Sequence, residues 1–347
     1  MDLCKRKPKD RDFIRTREGM FFCVVGYLHP PTRVTAYLKY SPAPLGKWHD
    51  GEIAYRRELP YYHVRNVAET IHYLEQHYPW YIHYCPVRDI RFSMVPQEYI
   101  ARYYDPRERL AEILTDPHDL LEEETRSLAT EIAACAGIDL GDLGVTGSIL
   151  IGLHSPAFSD IDLVVYGAEN ARRVRRALSA GASPRIKRPG AEFTSQWCRQ
   201  IAEQFPLTLE EVRYIADRRW NYGFYGERYF SLHPVRTDEE IAERYGEHIY
   251  RSQGEARVKA VIVDAGEAFF LPAVYRVKDV EVLEGAPEAA EVREIVSYEG
   301  LYCDIADAGQ EVEVRGKLEN VDGEPRRLVI GTIQLKGAGY IRLRELR

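Results

Sequence analysis

Three changes of texture along the chain predict a mixed α/β fold, an α+β multidomain arrangement in three parts. Strand-like and helical pieces mix through the first ~95 residues, an acidic helical stretch follows, and short strands with turns fill the chain past residue 255. The 347 residues suffice for two or three domains of ~100–150 residues each. The expected parts are an N-terminal α+β domain over 1–115, a central α/β domain over 116–265 and a small C-terminal β-barrel over 266–347.

In the first part, 20–26 and 34–40 are rich in β-branched and aromatic residues, and His29-Pro30-Pro31 between them suits a hairpin turn. Val67, Ile71, Leu74 and Tyr78 recur at helical spacing, so a helix is expected to stop before Pro79. Two further strands are expected near 81–84 and 90–94. From Pro96 to Ala136 the pattern turns helical. Asp116-Pro117 marks a helix start there, and Leu121, Leu128, Ile132 and Ala136 give an apolar face. In the last part, strands are expected at 258–264, 269–277, 280–283, 312–314, 328–333 and 340–343, with turns at Gly285-Ala286-Pro287, Asp322-Gly323 and Gly337-Ala338-Gly339. An oligonucleotide-binding (OB) barrel is one of the small barrels that fit this pattern.

Composition excludes several classes. At 45% hydrophobic and 29% charged, the chain can bury substantial cores. It has no apolar run long enough to span a membrane and no signal-like apolar segment at Met1–Lys7. The six cysteines, Cys4 among them, are scattered without a Cys-x-x-Cys pair, which argues against a zinc ribbon or a disulfide scaffold and predicts a reducing cytoplasm. Four Asn and eight Gln beside abundant charge fit a thermophile. A net charge of −7 speaks against a uniformly basic nucleic-acid coat. The charge is uneven, however: residues 101–142 carry eleven acids and four Arg, whereas Ala168–Gln200 carry eight Lys/Arg and two Glu. Ala171, Val174 and Leu178 supply the apolar face of a helix there, leaving Arg172, Arg173, Arg175 and Arg176 outward as a solvated face or a basic wall for an anion.

The segment that carries chemistry runs from Leu143 to Gly167. A short strand ends at Gly147-Ser148, Ile149–Leu153 starts a helix, Pro156 and Ser159 mark a loop, and Ile161–Tyr166 is a buried strand. Backbone N–H groups at the Gly147-Ser148 turn suit a phosphate. Asp160 and Asp162, two residues apart on a strand, project from one face. Two adjacent carboxylates repel unless a divalent cation lies between them.

Gly-Ser, eleven residues, then Asp-Ile-Asp-Leu resembles the signature of the DNA polymerase β superfamily of nucleotidyltransferases. The longer phrasing, with Gly152-Leu153-His154-Ser155-Pro156 before the Asp pair, is similar to an archaeal branch of predicted nucleotidyltransferases. The resemblance implies a polymerase-β-like nucleotidyltransferase domain in the central part. It implies that Asp160 and Asp162 bind Mg²⁺ (or Mn²⁺), and that Gly147 and Ser148, with Ser159 close by, bind the NTP. A third acid on a neighbouring strand would hold a second metal while an acceptor hydroxyl attacks the α-phosphorus. Asp264, ending the strand 258–264, is the best candidate; Glu267 and Glu227 are alternatives, and none has the hydrophobic-Asp-hydrophobic setting of active members. RNA ends head the list of acceptors. The rival reading is a catalytically silent nucleotide-binding or assembly module that lacks the third carboxylate.

Other residues carry weaker signals. His154 reads as a solvated loop histidine near the phosphate turn. No His-Glu-x-x-His or Gly-x-Ser-x-Gly pattern is present. The aromatics Tyr61-Tyr62, Tyr78, Trp80-Tyr81, Tyr103-Tyr104, Trp220, Tyr222, Phe224 and Tyr225 read mostly as packing, with Arg218–Gly223 as a possible base or acceptor contact.

Overall fold

A computed structural model describes residues 7–59 and 63–344. Cys4 and the Tyr61-Tyr62 pair lie outside the described residues. The chain divides into two units, each assembled from separate stretches of sequence. One takes the described residues of Met1–Pro60 with Ser93–Pro189 and Trp220–Glu243; the other takes those of Tyr61–Phe92, Gly190–Arg219 and Arg244–Arg347.

In the first unit the N-terminal aromatic and β-branched runs become an antiparallel sheet. Phe21–Val24 pairs with Arg33–Pro42, the expected hairpin, and Phe13–Thr16 joins on the other side of Phe21–Val24. Arg33–Pro42 also pairs with Ile53–Arg57, which in turn pairs with the short strand Trp48–Asp50. Ile100–Tyr104 is a strand beside Phe13–Thr16, although the sequence pattern there reads as helical. Its five residues do not alternate between exposed and buried, so they display no strand period against the helix that follows at Pro106–Thr115. Asp116 caps the end of that helix. The next helix, Leu120–Ala136, starts three residues later than the Asp116-Pro117 pair suggests, with the Asp119 carboxylate accepting the Glu122 amide.

The second sheet of this unit has the order Ile186–Lys187, Tyr222–Tyr225, Arg228–Val235, Ile161–Tyr166, Leu143–Val145. Ile161–Tyr166 lies between two strands, parallel to Arg228–Val235 and antiparallel to Leu143–Val145, with every residue but Asp162 buried. A strand with neighbours on both edges and both faces covered reads as a continuous apolar run, as Ile161 and Leu163–Tyr166 do. The helix Ala168–Ser179 follows, burying Ala171 and Val174 and turning its arginines outward, where Arg172, Arg173 and Arg176 share Glu169.

In the second unit, the helix Val64–His77 ends before Pro79 as the spacing predicts. Tyr250–Glu267 pairs with Ala273–Glu284, which pairs with Glu294–Ser297, then Glu324–Ile330, then Glu311–Val321. Glu311–Val321 pairs back with Tyr250–Glu267, so the path of ladders returns to its starting strand; Tyr340–Leu343 adds to Glu311–Val321. The pairing of Glu294–Ser297 with Glu324–Ile330 is parallel and the others are antiparallel. Asp322-Gly323 forms the expected hairpin turn. The two strands expected at 269–277 and 280–283 form one continuous strand. Val258, Ile262, Tyr275, Val314 and Leu328 belong to the apolar core of this unit. Among the described residues no helix is long and apolar enough to cross a membrane.

Candidate active site

The strand Leu143–Val145 delivers the chain to Gly147, whose φ of +66° is a conformation that favours glycine. A Cβ at this position would lie 2.4 Å from Oδ2 of Asp162, so the backbone can pass the carboxylate only without a side chain. Just before it, Thr146 fastens the turn: its amide donates to the Asp162 carbonyl at 2.8 Å and its hydroxyl to the Arg11 carbonyl at 2.6 Å. The helix expected over Ile149–Leu153 is shorter, Gly147–Leu150 only. Gly152, at φ +70°, turns the chain, and the Leu153 amide reaches back to the Ser148 carbonyl at 2.9 Å. Ser148 is buried within this turn.

The loop that leads to the Asp pair is tied at several points. The Ser155 amide donates to the buried Ser159 hydroxyl at 3.0 Å, and the Ser159 amide donates to the Ser155 carbonyl at 2.9 Å. Arg228 donates to the Ser159 and Pro156 carbonyls at 2.9 Å each and pairs with Glu124 at 2.8 Å. His154 differs from the solvated loop histidine expected: it is largely buried and its Nε2 lies 2.9 Å from Asp119 Oδ2. The helix cap that Asp119 provides brings a carboxylate to the loop, a tertiary contact that local sequence does not display.

Asp160 is exposed and Asp162 half-buried. The charge of Asp162, with burial second, pushes the Asp160 carboxyl up to about 6. Burial acts to raise Asp162 as well, but hydrogen bonding and charge from His233 and the hydroxyl of Ser231 hold it below the ordinary carboxylate range. Those two residues come from the parallel neighbour strand, where Ser231 is opposite Asp162 and His233 opposite Val164. The Ser231 hydroxyl donates to Asp162 Oδ1, and His233 Nε2 lies 2.8 Å from Ser231 Oγ. With the hydroxyl proton given to the carboxylate, His233 Nε2 must carry the proton it donates to Ser231. Burial first, then Arg11, lowers His233 to about 4, so the ring is neutral at pH 7.

The N-terminal sheet contributes cations. Lys39, on Arg33–Pro42, is lowered to about 8 by burial and by Arg57, with Asp162 among the charges acting in the opposite sense. Arg57 faces both Asp160 and Lys39 electrostatically, and the Arg11 guanidinium pairs with Asp10 at 3.2 Å. Lys39, Arg57, Ser231 and His233 were not signalled as site residues by the sequence. The alternation of Ser231 and His233 on a strand beside the Asp strand is the one pattern that could have pointed to them.

Gly147, Ser148, Ser159, Asp160 and Asp162 thus share one segment of the first unit. Asp264 and Glu267 lie on the long strand Tyr250–Glu267 of the second unit, both exposed, and Asp264 Oδ1 accepts the Gly266 amide at 2.8 Å. Glu227 is exposed at the turn before Arg228–Val235. Among the described residues no three His, Cys, Asp or Glu side chains are grouped as a metal site.

A Gly-Ser turn backed onto an Asp-x-Asp strand in a mixed sheet is the framework of a nucleotidyltransferase. A family model described as a nucleotidyltransferase domain matches residues 138–281. An uncharacterized protein of Methanocaldococcus jannaschii is 30% identical over 348 aligned positions, covering 98% of this chain and 100% of the relative. The chain belongs to the polymerase-β-like nucleotidyltransferase family. No solved structure matches it.

Proposed function

We propose that the protein transfers a nucleoside monophosphate from an NTP to a hydroxyl acceptor, with RNA ends the foremost acceptor class. The observation that carries this reading is the Asp160–Asp162 pair: two adjacent carboxylates whose mutual repulsion raises one of them, with the Gly147 backbone set against the other. Their oxygens suit a hard divalent cation, and repulsion within the pair is relieved when one binds. Asp160 and Asp162 would hold Mg²⁺ or Mn²⁺, which when bound offsets phosphate charge and polarises the phosphoryl oxygens.

The chain's own groups do the rest. Ser231, supported by His233, keeps Asp162 ionised and oriented. Lys39 and Arg57 attract the phosphates, and Gly147 and Ser148 line their approach, with Ser159 fixing the loop. Asp264 is assigned no step, since the neighbour strand places Ser231, a neutral group, beside Asp162. The returning path of ladders in the second unit supports a small closed barrel of the oligonucleotide-binding kind.

The absence of an acid at Ser231 favours a second reading, a nucleotide-binding module without transfer. Incubation with each α-labelled NTP, Mg²⁺ or Mn²⁺ and candidate RNAs separates them. Label transfer that is lost in Asp162→Asn supports the enzyme; nucleotide binding without transfer under any condition supports the module.

A further inference from the structure

The loop and hairpin beside the Asp pair carry three aromatic rings in contact, and the nucleotide reading above gives them a task. Tyr40, on Arg33–Pro42, is buried, and the charges of Asp162 and Asp160 both act on its hydroxyl. Its ring lies 5.6 Å from that of Trp48, which lies 6.1 Å from that of Phe158, both pairs edge to face. The row therefore runs from the carboxylates outward and ends in solvent, with Phe158 42% exposed. Phe158 sits two residues before Asp160 on the loop tied by Ser155, Ser159 and Arg228. Its ring is thus held in place before any ligand arrives. The Lys47 ammonium, 4.0 Å from the Phe158 centroid, is exposed and free to yield to a larger π-surface.

We propose that the exposed face of Phe158, buttressed edge-on by Trp48 and behind it Tyr40, forms a stacking shelf for a nucleobase of the substrate. An exposed aromatic face on a fixed loop suits a flat aromatic ligand. Its place next to the carboxylate pair suits a base joined through ribose to the phosphates held there. This proposal rests on the nucleotide reading, and its test keeps the two apart.

Calorimetric titration of the full chain with ATP and with inorganic tripolyphosphate, both with Mg²⁺, measures the base and the phosphates separately. Wild type should bind ATP more tightly than tripolyphosphate. Phe158→Ala, Phe158→Leu and Trp48→Leu should each weaken ATP about tenfold, the scale of one lost stacking contact, and leave tripolyphosphate unchanged. A short oligoadenylate forms a third arm: if it alone loses affinity in the variants, the shelf stands and the base belongs to the acceptor. Equal losses for ATP and tripolyphosphate, or no loss for any ligand, would overturn the shelf while the nucleotide site remains. A wild type that binds none of the three would overturn both.

Discussion

Two clusters of charged side chains, one in each unit, resolve their electrostatics in opposite ways. In the second unit Glu319 is buried between Lys317 and Arg327, the latter at 2.8 Å, and Glu313 is buried between Arg257 at 3.3 Å and Arg344 at 2.9 Å with the Tyr340 hydroxyl at 2.9 Å. Each acid there has its cations within the fold. In the first unit, Asp160 and Asp162 share one face of a strand end, and although Arg57 and Lys39 act on Asp160, its carboxyl is driven up to about 6 by its neighbour. A matched cluster is complete without a ligand; a cluster of like charges stores repulsion that an outside cation can relieve.

If that contrast is right, substitutions in the two clusters should separate activity from stability. Asp160→Asn should lower transfer on the order of 10³-fold or more while the thermal midpoint stays near wild type or rises, since its carboxyl is the one raised by repulsion, measured by labelled-NTP transfer and by melting. Glu319→Gln should do the reverse. Leaving Lys317 and Arg327 without their acid should cost about 3–5 kcal/mol in denaturant unfolding, with transfer per folded molecule unchanged. A Glu319→Gln protein that folds as well as wild type would break the comparison from the structural side.

Smaller effects refine the account of the site. His233→Ala removes the support under Ser231, so Asp162 should titrate higher. The acid limb of the transfer–pH profile should then move to higher pH, with a roughly tenfold loss at neutral pH. The proton on Asp160 is held more tightly in the folded chain than at its ordinary value of 3.8. Its contribution to stability is therefore present below about 4 and lost as pH rises through about 6. In metal-free protein Asp160→Asn should abolish that slope, as seen by melting across this range. Smallest of all, Ser159→Ala removes the hydroxyl that accepts the Ser155 amide and should cost about 1 kcal/mol in unfolding.

What could be read from sequence follows the range of the interactions. The hairpin of Phe21–Val24 and Arg33–Pro42, the helix Val64–His77 and the Asp strand were legible because their apolar periods are local and their ends are marked by Pro or Gly. Ile100–Tyr104 was not, since five residues without an alternating pattern yield to the helical pattern after them. Around the site, the Gly147–Asp162 segment carries its own pattern. Lys39 and Arg57 reach the carboxylates only through the pairing of a remote sheet, and no spacing in sequence announces that. Ser231 and His233 sit on the strand Arg228–Val235, but a search for a third acid passes over a hydroxyl and a neutral ring.

The central claim is that the Asp160–Asp162 pair is built to receive a divalent cation. Titration of the metal-free chain with Mn²⁺, followed by electron paramagnetic resonance, tests it without reference to turnover. The account predicts saturable Mn²⁺ binding in wild type that disappears in the double variant Asp160→Asn, Asp162→Asn. Equal Mn²⁺ binding by the two proteins, or none by wild type, would contradict it.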